Sequence, residues 1–261
     1  MKVRMKMTKT GPIRYVGHLD FMRFFQKALR RSGILTAFSR GYSPHMIISF
    51  ASPLGVGLES VADYVDVDLA YRDPFTLSES DIQHLKNMGL ENEELPEVPA
   101  STVLAEMVNR EMPEGVRVLM MNRVGVTDKA MALVRGADYL VYLENGFLSD
   151  TDLAAAIESF LREESILIHK VTPKSESDVD IRPLIYEMRE AEDTSFAPEG
   201  YGRALFMSLS AGSAANLKPE TVTEALCRHI NKEFDPFALR IVRTEMYADE
   251  KKPFSEIGDR F

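Results

Sequence analysis

KVRMKMTKTGPIRYVGHLDFMRFFQKALRRSG, residues 2–33, carries two different periods in succession. In KVRMKMT (2–8), Val3, Met5 and Met7 alternate with Lys2, Arg4 and Lys6. That two-residue repeat is a half-buried strand with a basic face. Gly11-Pro12 marks a turn. In HLDFMRFFQKALRRSG (18–33), Leu19, Met22, Phe25 and Leu29 return at helical spacing, joined by Phe21 and Ala28. Gly33 then supplies a C-terminal stop. Arg23, Lys27, Arg30 and Arg31 fall together on the other flank of this helix, because spacings of four, three and four keep them on one side.

Working outward, Gly41, Ser43 and Pro44 break the chain, and MIISFA (46–51) reads as a strand. PLGVGLES (53–60) is a glycine-containing loop, and ADYVDVDLA (62–70) alternates as a further strand. Residues 73–100 are polar and acidic, with a short helical stretch near Glu79–Met88, and read as a peripheral insertion. Ser101 offers an N-cap to a helix bearing Val103, Leu104, Met107, Val108 and Met112 on one face. Pro113-Glu114-Gly115 ends it, and VRVLMMNRV (116–124) is a strand. The order β-α-β-β-α-β is the ferredoxin-like pattern.

The second half repeats that order. ADYLVYLE (137–144) is a strand, DLAAAIESFLREE (152–164) a helix capped by Asp150 or Thr151, and ILIHKV (166–171) a strand. A polar joint, TPKSESD, leads to VDIRPLIYEMREA (179–191), whose first residues look extended. RALFMSLSA (203–211) is a strand, a helix opens at Lys218-Pro219-Glu220 and runs to Lys232, and ALRIVRTEMY (238–247) is the last strand. The expected class is α+β: two tandem ferredoxin-like (βαββαβ) units with antiparallel sheets, residues 1–130 and 131–261, meeting near 125–136. Alternating strands and helices also fit one mixed sheet.

With 261 residues, 45% of them apolar and 27% charged, the chain has the balance of a soluble protein with a real core. No run of 18 apolar residues occurs, so no membrane span is expected. MKVRMKMTK lacks the apolar stretch of a signal peptide. The single cysteine, Cys227, excludes an internal disulfide, a zinc knuckle or a cysteine-held iron–sulfur cluster, and a cytoplasmic setting is the default. The net charge of −9 is unevenly spread. Residues 1–50 hold ten bases and one acid, Asp20, while residues 51–100 hold eleven acids against Arg72 and Lys86. This asymmetry points to an anionic partner for the N-terminal region. The competing explanation is that the basic strand and helix pair internally with Asp63–Asp68.

Residues 14–60 combine these bases with Tyr15, Phe21, Phe24, Phe38 and Tyr42. Single-stranded RNA suits such a surface, since phosphates need cations and unstacked bases need flat partners. The candidate RNA-binding residues are Arg14, Tyr15, His18, Arg23, Lys27, Arg30, Arg31, Arg40, Tyr42 and His45. The Ser39–His45 turn and the Gly55–Ser60 loop flank strand 46–51 at opposite ends, and the Tyr42–His45 end is expected to adjoin His18. That placement would make His18 and His45 an acid/base pair of nuclease type. Gly55-Val56-Gly57 lacks the third glycine of a dinucleotide fingerprint. No Walker motif and no Gly-x-Ser-x-Gly elbow occurs. Glu176, Asp178 and Asp180 read as a solvated acidic loop or a divalent-cation site. No catalytic residue, metal or cofactor is assigned.

RYVGHLDFMRFFQKALRRSGI, FSRGYSPHMIISFASPLGVGLES and ADYVDVDL resemble the radical-SAM-associated domain of unknown function. The resemblance rests on Arg14-Tyr15, His18-Leu19-Asp20, Arg30-Arg31, the Ser39–His45 turn and the Gly57–Ser60 loop. MPEGVRVL (112–119), VDIRP (179–183) and IVRTEMY (241–247) extend it over most of the chain. Gly17 stands where that family tends to have serine, and Gln26-Lys27 replaces a commoner acidic-arginine pair. Members stand alone or are fused to a radical SAM enzyme, and similar chains lie near genes for ribosomal proteins and a ribonuclease. The resemblance implies an accessory that presents RNA or a ribonucleoprotein to a separate radical SAM protein. One cysteine cannot supply that enzyme's cluster motif. The alternatives are a protein–protein adaptor with a basic docking face and a metal-independent ribonuclease.

Overall fold

The computed structural model describes residues 1–71, 83, 100–172, 175–192, 197–213 and 215–261. The acidic insertion expected at 73–100 lies outside them, except for Gln83 and Ala100. The chain is α+β with mostly antiparallel strand pairing and, among the described residues, five α-helices. It divides into two compact units, Met1–Val134 with Ala248–Phe261, and Arg135–Tyr247. The last fourteen residues therefore group with the first half rather than with the second, where the division at 130 had put them.

The first unit runs β1 (Lys2–Lys9), α1 (His18–Arg31), β2 (Ile48–Phe50), β3 (Glu59–Asp68), α2 (Ala100–Asn109), β4 (Val118–Val124) and a short α3 (Ala130–Leu133). β1 lies between β3 and β4, and β2 pairs with β3. Val3, Met5 and Met7 are fully buried, as their alternation requires. They meet Phe21, Phe25 and Leu29 of α1, and Val103, Leu104, Met107 and Val108 of α2, in one apolar cluster. Full burial of a side chain such as Phe25 stabilises by about 1.5–3 kcal/mol. α1 ends with Gly33 at φ +78°, and Arg30 and Arg31 in its last turn complement the negative end of the helix dipole. Ser101 sits inside α2, one residue past its start, and is not its cap. Gly115, φ +88°, lies where a Cβ would stand 2.3 Å from the Thr10 carbonyl oxygen. That carbonyl's own residue donates its N–H to the Gly115 carbonyl at 2.9 Å, so glycine is what lets the turn before β4 close on the end of β1.

The basic face expected on β1 is partly covered, with Lys2 and Lys6 half-buried. Arg4 is wholly buried. Its Nε and Nη2 donate to the two carboxylate oxygens of Asp66 at 2.8 and 3.1 Å. Nη2 also donates to the Asp128 carbonyl at 2.8 Å, and the guanidinium lies 4.8 Å from the Phe254 ring centre. Asp66 in turn accepts the Ala130 N–H at 2.7 Å. The segment around α3 and the C-terminal tail thus cover the face of the sheet opposite α1. Internal pairing with the acidic strand holds for Arg4 of β1; Arg23, Arg30 and Arg31 of α1 make other contacts.

The second unit runs β5 (Gly136–Glu144), α4 (Leu153–Leu161), β6 (Leu167–Thr172), β7 (Ser175–Asp180), β8 (Ile185–Glu190), β9 (Tyr201–Ser210), α5 (Pro219–His229) and β10 (Leu239–Tyr247). The strands β10-β5-β9-β8 lie side by side in that order. Two expectations change here. Residues 166–171 do not enter this sheet; β6 pairs with β7 in a separate two-stranded hairpin, so most of the polar joint is itself strand. The place beside β9 belongs to β8, which offers buried Ile185 and Met188 to the core, whereas Leu167, Glu176 and Asp178 stand exposed. Asp152, not Asp150 or Thr151, caps α4, accepting the Ala155 N–H at 3.1 Å.

Asp180 joins the hairpin to the turn that follows, accepting the N–H groups of Arg182 and Ile166 at 3.0 and 2.9 Å. The Arg182 N–H first, then that of Ile166, holds its carboxyl below the ordinary value. A lowered folded pKa gives stability that is present above about pH 4 and lost as pH falls through the folded value. Asp180→Ala should therefore melt earlier than the parent at pH 7, with the gap in Tm narrowing toward pH 2. A gap independent of pH would show that the charge is not involved. Cys227 is buried in α5, and burial, followed by the nearby Glu224 charge, raises its thiol pKa to about 11. Iodoacetamide at pH 8 should label it slowly in the native protein and quickly in 6 M guanidinium, because the thiolate is the nucleophile. Rapid stoichiometric labelling of the folded chain would contradict this placement.

Candidate nucleic-acid interface

The ten candidate residues fall into three groups on the first unit. The solvent side of α1 carries Arg23, Lys27, Arg30 and Arg31, all exposed. The stripe is as the helical spacing requires, since Phe21, Phe25, Ala28 and Leu29 occupy the buried side. Two of the four are engaged. Arg23 contacts Asp20 at 3.1 Å, one turn away and exposed, and Arg31 donates to the Glu111 carboxylate at 2.7 Å. Exposed pairs of this kind are worth about 0–1 kcal/mol and exchange readily for another anion. Among the described residues, Lys27 and Arg30 meet no carboxylate within ion-pair distance. Arg30 instead lies 6.0 Å from the Phe38 ring centre.

The second group gathers at the start of α1. Arg14 donates to the Tyr15 hydroxyl at 2.8 Å and lies 4.7 Å from that ring's centre. Tyr15 itself is exposed. The half-buried His18 packs edge-on against Phe50, with ring centres 5.0 Å apart. The Gly57 N–H donates to the Arg14 carbonyl at 2.9 Å, so the Gly55–Ser60 loop does reach this end of the helix. Glu59, overlooked as a site residue, fastens it: it accepts the Gly11 N–H at 2.6 Å and lies 3.7 Å from the Arg14 guanidinium. Lys9 is buried beneath, donating to the Val16 carbonyl at 2.9 Å and lying 5.3 Å from the Phe21 ring centre. Nothing in the N-terminal run of bases sets Lys9 apart from its neighbours. The first turn of a helix lying across the strand end is what closes it off.

The third group, Arg40, Tyr42 and His45, lies at the opposite end of β2 and near the last turn of α1. The chain doubles back through the Phe38–Met46 bridge, with the Ser39 N–H donating to the His45 carbonyl at 2.8 Å. Ser39 Oγ and His45 Nδ1 lie 2.8 Å apart, which steadies the tip. This corrects the expected placement of the turn beside His18. β1 pairs Lys9 with Ser60, so the start of α1 sits by the start of β3, whereas the Ser39–His45 turn leads through Ile47 to the end of β3 at Asp68. His45 lies five residues before Phe50, about 16 Å of extended chain at about 3.3 Å per residue. His18 and His45 therefore share no proton-transfer site, which needs near hydrogen-bond reach.

Two members of the acidic trio of the second unit flank His169, and the third does not join them. Asp178 lies 3.0 Å from His169 Nδ1, Glu176 lies 4.0 Å from His169 Nε2, and Asp180 serves the backbone. Among the described residues no group of three His, Cys, Asp or Glu side chains is placed to hold a metal ion. The hairpin strand β6 and α5 flank a cleft of about 460 Å³ lined by Lys170, Lys218, Thr221 and Arg228. No local motif marks that cleft, because its two walls are about fifty residues apart. Among the described residues no helix is long and apolar enough to cross a membrane.

A family model described as "Uncharacterized protein conserved in bacteria (DUF2344)" matches residues 2–101 and 87–219. No curated protein matches the chain. The family description names no radical SAM protein, so that association rests on the motif resemblance alone.

Proposed function

The chain belongs to this family of uncharacterized bacterial proteins, and from that premise we propose that it is an accessory RNA-binding module, which presents RNA or a ribonucleoprotein to a separate radical SAM enzyme. The observation that carries the RNA reading is the outward stripe on α1, where Lys27 and Arg30 stand exposed without a carboxylate among the described residues. Phosphate oxygens are the complement of such a stripe, and the exposed Tyr15 and Tyr42 at its two ends offer faces for unpaired bases. Two tandem ferredoxin-like units are the architecture we infer. In support, the strand orders β4-β1-β3 with β2 on β3, and β10-β5-β9-β8, both put the unit's first strand between its third and fourth once the separate β6-β7 hairpin is set aside. The radical SAM partnership is supported by the motifs at 14–60, and the enzyme would supply the chemistry. The chain itself contributes binding and orientation.

Fluorescence anisotropy with single-stranded RNA tests the reading. The logarithm of the association constant should fall linearly with the logarithm of NaCl concentration, by about 0.7 for each phosphate neutralised. RNA incubated with the chain alone should remain intact by mass spectrometry. Adding the radical SAM partner should yield a modified product only when this chain is present. Absence of RNA binding at 50 mM NaCl would remove the reading in favour of an adaptor for an acidic protein.

A further inference from the structure

We propose that the hairpin tip at residues 38–45 is a base-stacking platform for unpaired nucleotides, with the α1 stripe holding the adjoining phosphates. This rests on the RNA-binding reading above and names the part of the RNA that is recognised. Three observations meet at this tip. Tyr42 is fully exposed and Phe38 about half exposed, although aromatic rings of that size ordinarily find cover. The Arg30 guanidinium lies 6.0 Å from the Phe38 ring centre, so a cation and a π-face are presented side by side. The surrounding sequence holds no acid at all between Asp20 and Glu59, while Arg40 adds a further exposed cation at the tip.

Local geometry keeps these groups displayed. The Phe38–Met46 bridge anchors the base of the tip, and Met46 is buried beneath it. Ser39 closes the tip twice, accepting the His45 N–H on its Oγ at 3.1 Å and donating its own N–H to the His45 carbonyl at 2.8 Å. A platform held by backbone pairing loses little entropy when a base settles on it. Base faces are common to all four nucleotides and are hidden in a duplex. The platform therefore selects single-stranded over double-stranded RNA, with little preference among sequences.

The test compares a single-stranded 12-mer RNA with a duplex of the same sequence, by anisotropy across a salt series. Tyr42→Ala and Phe38→Leu are the informative variants. The first removes a side chain that is fully exposed, and the second keeps an apolar residue at the bridge to Met46 while removing the π-face. Each should weaken single-strand binding about 5- to 150-fold, the range for loss of one stacked base. Duplex binding and the salt slope should stay unchanged. Unchanged single-strand affinity in both variants, with the salt slope intact, would overturn the platform and leave the RNA reading standing. A parent protein that binds neither RNA would overturn the RNA reading itself. Polyglutamate as a competing probe gives the third arm: if the two variants lose polyglutamate affinity as strongly as RNA affinity, the tip docks an acidic protein and the platform is rejected.

Discussion

Arg4→Ala should destabilise the protein by about 3–5 kcal/mol in urea unfolding, because it leaves Asp66 buried and charged without its partner. That is a large part of the 5–15 kcal/mol that a typical domain has in total. Asp66→Ala should cost about as much by a different route, leaving the buried guanidinium uncompensated and the Ala130 N–H without its acceptor. The double variant should lose well under the sum of the two, since once one partner is gone the other is a burden. Strict additivity, or a loss below about 1 kcal/mol for Arg4→Ala, would show that the pair is not closed off from water. Arg4 also touches the Asp128 carbonyl and the Phe254 ring. Proteolysis within residues 125–134 and 248–261 should therefore accelerate in the variant before the α1 side of the sheet is cut.

The second large effect is expected on binding. Reversing Lys27 and Arg30 together, Lys27→Glu with Arg30→Glu, should reduce single-strand RNA affinity by at least about tenfold at 100 mM NaCl. The salt slope should fall by about 1.4, two contacts at about 0.7 each. These two are the informative positions because Arg23 and Arg31 already contact Asp20 and Glu111. Both positions are exposed, and the ring that Arg30 faces, Phe38, is itself exposed, so Tm should move little. Equal affinity and an equal slope in the double variant would remove α1 from the interface.

The periodic signals were legible wherever one face of an element meets apolar side chains. The alternation of Val3, Met5 and Met7 and the helical return of Phe21, Phe25 and Leu29 each mark a core face, and the outward stripe of α1 follows from that by exclusion. Where the pattern misled, it was on the second face. Lys2, Arg4 and Lys6 alternate as a solvent-facing row does, yet Arg4 is buried by Asp128 and Phe254, far along the chain. A period of two reports that two sides differ and is silent on whether water, an ion pair or a tail covers the polar one.

Strand pairing was lost for the same reason. LIHKV (167–171) is as strand-like as IYEMRE (185–190), and both form strands. Only the second has side chains that fill the space beside β9, and pairing partners are chosen by that fit rather than by propensity. The position of the Ser39–His45 turn was not legible either, since it depends on the direction in which β2 and α1 cross the sheet. Sequence alone determined most of the elements, though not β7 or the short α3, together with the α+β class, the charge asymmetry and the exposed side of α1, because these follow from local periodicity and residue chemistry. Tertiary structure alone decided that Arg4 and Lys9 are buried, that His18 and His45 lie at opposite ends of β2, and that Arg30 meets Phe38. Each of those is a distance between residues that the chain brings together only by folding, through hydrogen bonds and packing that no local window of sequence contains.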